Sequence, residues 1–167
     1  AYIEAEGDNR VFSSQWPSHP NQSEATATLV VNKSLNLSKQ ALRSDAEING
    51  DVQWRIAFTN TNSLDYTNYK MLDIMPYNGD ANGSSFDGSY TITATLTAPS
   101  EIKLYASTDK NVRGTSVSTV DETLFQELTP TQTLANENVY ELGEDVTALL
   151  LKGTLPTFER YVLDITL

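Results

Sequence analysis

The sequence predicts an all-β, immunoglobulin-like sandwich of about seven to nine short strands, preceded by an irregular N-terminal extension. Apolar and polar residues alternate in one short run after another, the period of a half-buried strand. Clusters of Gly, Asn, Asp, Ser and Pro separate the runs, with no long helical pattern between them. Eight Tyr and abundant Thr also favour a pleated, half-buried surface.

Residues 1–24 hold Gly7-Asp8-Asn9, Trp16-Pro17 and His19-Pro20-Asn21, so they read as turns with one short strand near Val11-Phe12. They are expected to be an extension or the end of a preceding module, and residues 25–167 the sandwich. From Ala25, alternation runs through Val30 and on to Leu37 as one long strand. In Val52 to Phe58, Val52, Trp54, Ile56 and Phe58 share one face while Gln53 and Arg55 take the other. Tyr69 to Met75 is a second clear strand, stopped by Pro76. A Gly/Asn/Asp/Ser loop runs from Asn78 to Gly88, and Tyr90, Ile92, Ala94 and Leu96 mark the strand that leaves it. Glu101 to Ser107 and Thr115 to Val120 add two strands. Leu124, Phe125 and Leu128 suit a helical turn ended by Pro130. Glu144 to Leu151 and Arg160 to Leu167 complete the set.

The chain has 167 residues, enough for one domain with a buried core. Its net charge is -11 and its eleven Lys and Arg are scattered, which argues against a nucleic-acid partner. No apolar run is long enough to span a bilayer, so no membrane insertion is expected, and any targeting signal or anchor is expected outside these residues. The absence of cysteine removes disulfides and thiolate metal sites.

Little in the sequence reads as catalytic. His19 is the sole histidine, no Gly-x-Ser-x-Gly occurs, and nothing marks two of the 22 acidic residues as a pair, so no enzyme activity and no obligate cofactor are expected. The loop Asn78-Gly-Asp80-Ala-Asn82-Gly83 resembles the opening of a calcium loop, with Asp80, Asn82 and Asp87 as ligands; Ser89 stands where a bidentate Glu belongs. A turn tolerant of positive φ explains the same letters without metal. Trp16 and Tyr77, in expected loops, are candidates to stack on a sugar ring or to contact a protein, whereas Trp54 reads as core.

Several motifs taken in order resemble one family. They are Val30-Val31-Asn32-Lys33-Ser34, Trp54 to Asn62, Leu72-Asp73-Ile74-Met75-Pro76-Tyr77-Asn78-Gly79-Asp80, and Gly83-Ser84-Ser85-Phe86. The closing Tyr161 to Leu167 is similar in character to the family's last strand. Together they look like the DUF11-type or B-antigen-type repeats of Gram-positive cell-wall-anchored proteins. The resemblance implies an extracellular, monomeric module with structural or adhesive duties. Its partners would be neighbouring domains of the same surface protein, and a host matrix protein or glycan in an alternative binding role. It also implies an internal isopeptide bond as an option, in which Lys33 matches the family's lysine and Asp73 its assisting acid. The usual acceptor Asn is missing from the last strand, where Asp164 stands instead.

Overall fold

The computed structural model describes residues 4–11, 25–30, 35–42, 51–77, 79–80, 91–97, 101–112 and 115–167, the first two ranges by backbone alone. The chain divides into two compact units, Ala1–Ser34 and Leu35–Leu167. In the first, β1 (Glu4–Val11) pairs antiparallel with β2 (Ala25–Val30). The Gly7-Asp8-Asn9 run expected to turn lies inside β1, where the register shifts between Glu4 and Asp8. An irregularity of this kind lets a strand carry turn-prone residues without ending.

The second unit contains β3 (Leu35–Ala41), β4 (Gln53–Asn60), β5 (Tyr66–Ile74), β6 (Ile92–Thr97), β7 (Ile102–Ser107), β8 (Gln126–Glu127), β9 (Gln132–Thr133), β10 (Glu137–Leu142), β11 (Ala148–Leu155) and β12 (Arg160–Thr166). They form two antiparallel sheets, ordered β3-β4-β12-β6-β10-β9 and β5-β11-β7-β8. The predicted all-β sandwich is therefore present. Its central strands, β4-β12-β6-β10 facing β5-β11-β7-β8, follow the strand order of a jelly roll, which winds two Greek keys into one double sheet. The immunoglobulin-like expectation thus holds at the level of two packed antiparallel sheets.

Alternation dictates the core. Trp54, Ile56 and Phe58 of β4, Tyr69 and Met71 of β5, Ile92, Ala94 and Leu96 of β6, and Tyr161, Leu163 and Ile165 of β12 all point between the sheets. At the centre, Phe58 stacks on Tyr161 of its own sheet at 5.5 Å between centroids and on Tyr69 of the opposite sheet at 5.2 Å. The run Ala148 to Leu151 shows no alternation because both its faces are covered. Leu149 and Leu151 face the main core, while Ala148 and Leu150 face a second cluster with Val112 and Phe125.

That second cluster is built by residues 108–112 and 115–125, a strap across the outer face of the four-stranded sheet. The expected strand from Thr115 to Val120 is instead a set of turns, with Val120 and Thr119 N–H groups bonded back to Ser116. Here Val120 packs beneath the strap, so its apolar character serves this cluster and not a sheet. The helical turn expected near Leu124 is a single 3-10 turn, Glu122–Leu124, capped by Asp121, whose carboxylate accepts from the Thr123 N–H.

The sandwich has two poles. The backbone enters β3 at Leu35, beside Asn60, and Asn60 in turn reaches Leu155. It leaves β12 at the opposite pole, where Leu167 and Val52 exchange two backbone hydrogen bonds of 2.9 Å. Leu42, Ile74 and Ala148 also lie toward that exit pole.

Candidate functional site

Polar side chains gather in four places, and each shows what the local sequence arranges. On the inward face of β5, Asp73 continues the series Tyr69, Met71, and is only 8% exposed. A buried carboxylate needs a partner. Lys39 supplies it, its Nζ donating to Asp73 Oδ1 at 2.5 Å while lying 5.5 Å from the Trp54 ring centroid. Since β3 and β5 are edge strands of opposite sheets, this ion pair closes the seam between them. Asp73 Oδ2 and Trp54 Nε1 are buried nearby in the same half of the seam, and neither has a hydrogen-bond partner.

Asp164 lies elsewhere. It alternates with buried Leu163 and Ile165, so it faces outward from the six-stranded sheet, where Arg55 of the adjacent strand grips it with two hydrogen bonds of 2.7 Å. This planar fork is the strong geometry for Arg and carboxylate, and it raises the guanidinium pKa through the Asp164 hydrogen bond. Asp73 and Asp164 are consequently not brought together. Lys33, the third member of the expected constellation, lies outside the described residues.

At the exit pole, Tyr77 is half-buried, with Lys110 Nζ 5.4 Å above its ring, and Asp80 is buried. Thr147 ties this pole together, its hydroxyl donating to the carbonyls of Ser107 and Asp109. Asn82, Asp87 and Trp16 lie outside the described residues. Among the described residues, no group of three His, Cys, Asp or Glu gathers as metal ligands.

The fourth cluster lies at the strap. Lys70, Lys152 and Lys103 sit directly opposite one another on three adjacent strands, a row of like charges that by itself opposes pairing. Two carboxylates offset it. Glu122 accepts from both Lys70 and Lys152, the latter at 2.9 Å, and Glu127 accepts from Lys103 at 2.8 Å and Tyr105 at 3.0 Å. Lys152 also lies 4.2 Å from the Tyr105 ring centroid. The two lysines hold Glu122 below the ordinary carboxylate range, chiefly through their hydrogen bonds. A depressed carboxyl pKa stabilises the fold above its unfolded value and loses that contribution as pH falls through the folded one. The strap is therefore expected to loosen below about pH 4. Glu122→Gln should cost about 1 kcal/mol, the pair being partly exposed, and should blunt this acid response. Amide exchange at Val112 and Phe125 measured against pH checks both.

Among the described residues, grooves flank the sandwich. One, of about 560 Å³, lies between Ile102–Leu104, Glu127–Pro130 and the residues leading to Tyr140. Tyr140 and Asn138 line it; burial pushes the Tyr140 hydroxyl pKa up, and Asn138 Oδ1 is buried without a partner. Another, of about 510 Å³, is lined by Leu35, Tyr66, Asn68, Tyr69 and Ser116–Ser118, at the seam between β3 and β5. Burial raises the pKa of the Tyr69 hydroxyl, which likewise lacks a hydrogen-bond partner.

Comparison with family models, with curated proteins and with solved structures gives no match.

The sequence reading missed Asn60, which is buried and fully used. Its amide donates to the carbonyls of Leu64 and Leu155, and its oxygen accepts from the Asn62 N–H. An Asn closing the apolar face Trp54-Ile56-Phe58 was the available signal, since a buried amide must find such partners. Asp65 does similar work, accepting from the Thr157 N–H and hydroxyl at 2.9 and 3.0 Å.

Proposed function

We propose that this chain is a structural and adhesive module of an extracellular bacterial surface protein, a spacer that carries tension from one pole of the sandwich to the other. The observation that supports this reading is the path of the backbone. It enters β3 at one pole and leaves β12 at the other, and both strands flank β4 antiparallel to it. Tension between Leu35 and Leu167 therefore slides β3 and β12 along β4 in opposite directions. Ladder hydrogen bonds run perpendicular to the strands, so such a load falls on many of them together and not on one at a time. The polar pairs Arg55–Asp164, Lys39–Asp73 and Glu122 with its two lysines also join strand to strand or strap to sheet.

The chain has no cysteine, so engineered handles attach unambiguously. In single-molecule pulling, handles at Leu35 and Leu167 should need a several-fold higher unfolding force than handles at Leu35 and Thr61. The latter pair lies at one pole and unzips β3 from β4. Equal forces in the two geometries would remove the support for a load-bearing role.

The cell-wall setting rests on the likeness of the Leu72–Asp80 and Gly83–Phe86 motifs to surface-protein repeats. The same likeness carries the internal amide bond, with Lys33, Asp73 and Asp164 as its participants; that Asp73 faces the seam while Asp164 faces outward in the grip of Arg55 counts against the two acting together. Condensation of a lysine amine with an aspartate carboxyl releases one water. Intact mass of the denatured chain, lower than the sequence mass by one water, is the outcome that reading requires.

A binding module for a glycan or host protein is the second reading, favoured by the groove at Tyr140 with its unpartnered Asn138 oxygen. Tyr77 offers this reading less, since Lys110 lies over its ring. An Asn138→Ala chain that binds glycans or matrix proteins as the parent does would count against it.

A further inference from the structure

The seam between β3 and β5 is closed by Lys39 and Asp73, but the opposite seam stands open. Its edges are β8 and β9, of two residues each, and the groove of about 560 Å³ is lined by Glu127 of one and Thr133 of the other. That volume falls within the range of about 300–1,000 Å³ common to small-ligand sites.

The charges in this groove are already spent. Lys103 donates to one oxygen of Glu127 and the Tyr105 hydroxyl donates to the other, so neither Lys103 nor Glu127 is left to recruit an ion. Ile102, Leu104 and Leu128 give the groove an apolar wall, and Leu134, exposed on the β9–β10 hairpin, gives it an apolar lip.

What is unspent is neutral. Asn138 Oδ1 is buried without a partner, and its Nδ2 reaches the Tyr140 hydroxyl only at 3.5 Å, the outer limit of a hydrogen bond. Tyr140 is 3% exposed, and its hydroxyl donates to no protein atom among the described residues. Folded proteins leave few buried polar groups so poorly matched. The last torsion of an Asn side chain is broad, so a small turn of the amide presents its oxygen to the groove.

A ligand that completes this set is neutral, donates to Asn138, accepts from Tyr140 at a neighbouring atom, and lays an apolar face on the wall. A hydroxyl both donates and accepts. A pyranose carries such hydroxyls side by side on its edge and C–H groups on its face. An extended peptide needs a longer strand edge than the two residues that β8 or β9 offers. The geometry points to a neutral sugar ring, one unit of a glycan, held in this groove with Asn138 and Tyr140 as its specificity-determining contacts. This inference rests on the second reading above, that the chain is a binding module, and narrows its ligand to one class.

Amide NMR spectra of the full chain titrated with glucose, galactose, mannose and N-acetylglucosamine test it. At least one sugar should shift the Asn138 side-chain amide and the Leu134 to Asn136 backbone, with a Kd of about 10⁻³ M. Asn138→Ala and Tyr140→Phe should each weaken that binding about tenfold, while signals away from the groove stay as in the parent. Phe keeps the ring of Tyr140 and loses only its oxygen, so a loss of binding there is not a loss of fold. Glu122→Gln, at the strap, should leave binding unaltered. A tenfold rise in salt should change the affinity less than about twofold, because no charge is engaged. Absence of any shift up to about 50 mM sugar overturns the inference. So does binding that survives both groove substitutions, or that salt abolishes. A parent chain that holds a fibronectin fragment made without glycans, through Asn138, but holds no sugar would sink the inference and leave the binding reading standing. Binding of neither would sink both.

Discussion

Phe58→Ala should destabilise the sandwich by about 3–5 kcal/mol, a large share of the roughly 5–15 kcal/mol that holds a domain folded. Phe58 is fully buried, and its ring stands between Tyr161 and Tyr69 with interplanar angles of 9° and 15°. Tyr161 is its direct cross-strand neighbour, whereas Tyr69 comes from the facing sheet. Truncation therefore weakens the pairing of β4 with β12 and the packing between layers at once. Part of the loss is the empty volume, which two rings anchored on rigid strands cannot collapse to fill. The rest is the aromatic contact, worth about 0.5–1.5 kcal/mol per pair beyond burial. Denaturant unfolding checks it: the midpoint should fall with little change in slope, and Phe58→Leu should recover much of the difference. A midpoint within error of the parent would show that this triad is not the centre of the core.

Gly153→Ala should cost about 3 kcal/mol or more, which is exceptional for the addition of one methyl group. Two causes add. The φ of Gly153 is +153°, a conformation that side chains of L-residues rarely adopt. A Cβ built there would also lie 1.8 Å from the carbonyl oxygen of Glu101 and 3.0 Å from the Ile102 Cα, both backbone atoms with no rotamer to yield. Since Gly153 pairs with Tyr69 on one side and Ile102 on the other, the middle of the four-stranded sheet must open to admit the methyl group. Amide exchange should accelerate along Ile102 to Leu104 before it does in β6 or β12. An unchanged melting temperature in the Ala variant would contradict the close approach of β7 and β11.

The fold was legible where one face of a strand meets hydrocarbon and the other meets water. Trp54-Ile56-Phe58, Tyr69-Met71, Ile92-Ala94-Leu96 and Tyr161-Leu163-Ile165 each wrote their inward face into a period of two. It was illegible where a second layer intervened. Ala148 to Leu151 reads as an undivided apolar run, and Val120 and Phe125 look like strand or helix residues, because the strap gives the four-stranded sheet a second buried face. Strand β10 escaped because its first half, Glu137 to Val139, is only partly buried and carries no alternation. The polar sites depended on register and layer, which composition does not encode. Asp164 meets Arg55 across 109 residues of sequence, and Asp73 meets Lys39 only because β3 and β5 end up at facing edges.

The place of β12 has a consequence for how the sandwich is made. Inserted between β4 and β6, it is an interior strand of its sheet, although it is the last of the ten to be synthesised. Until it arrives, β4 and β6 have nothing to join them, and the inner faces of Ile56, Phe58 and Leu96 lack their cover. Folding must then wait for residues near 166 to clear the ribosome, and the high contact order of such a topology places the step at about milliseconds to seconds. The nascent chain accordingly stays open, with this sheet unjoined, until its last strand emerges.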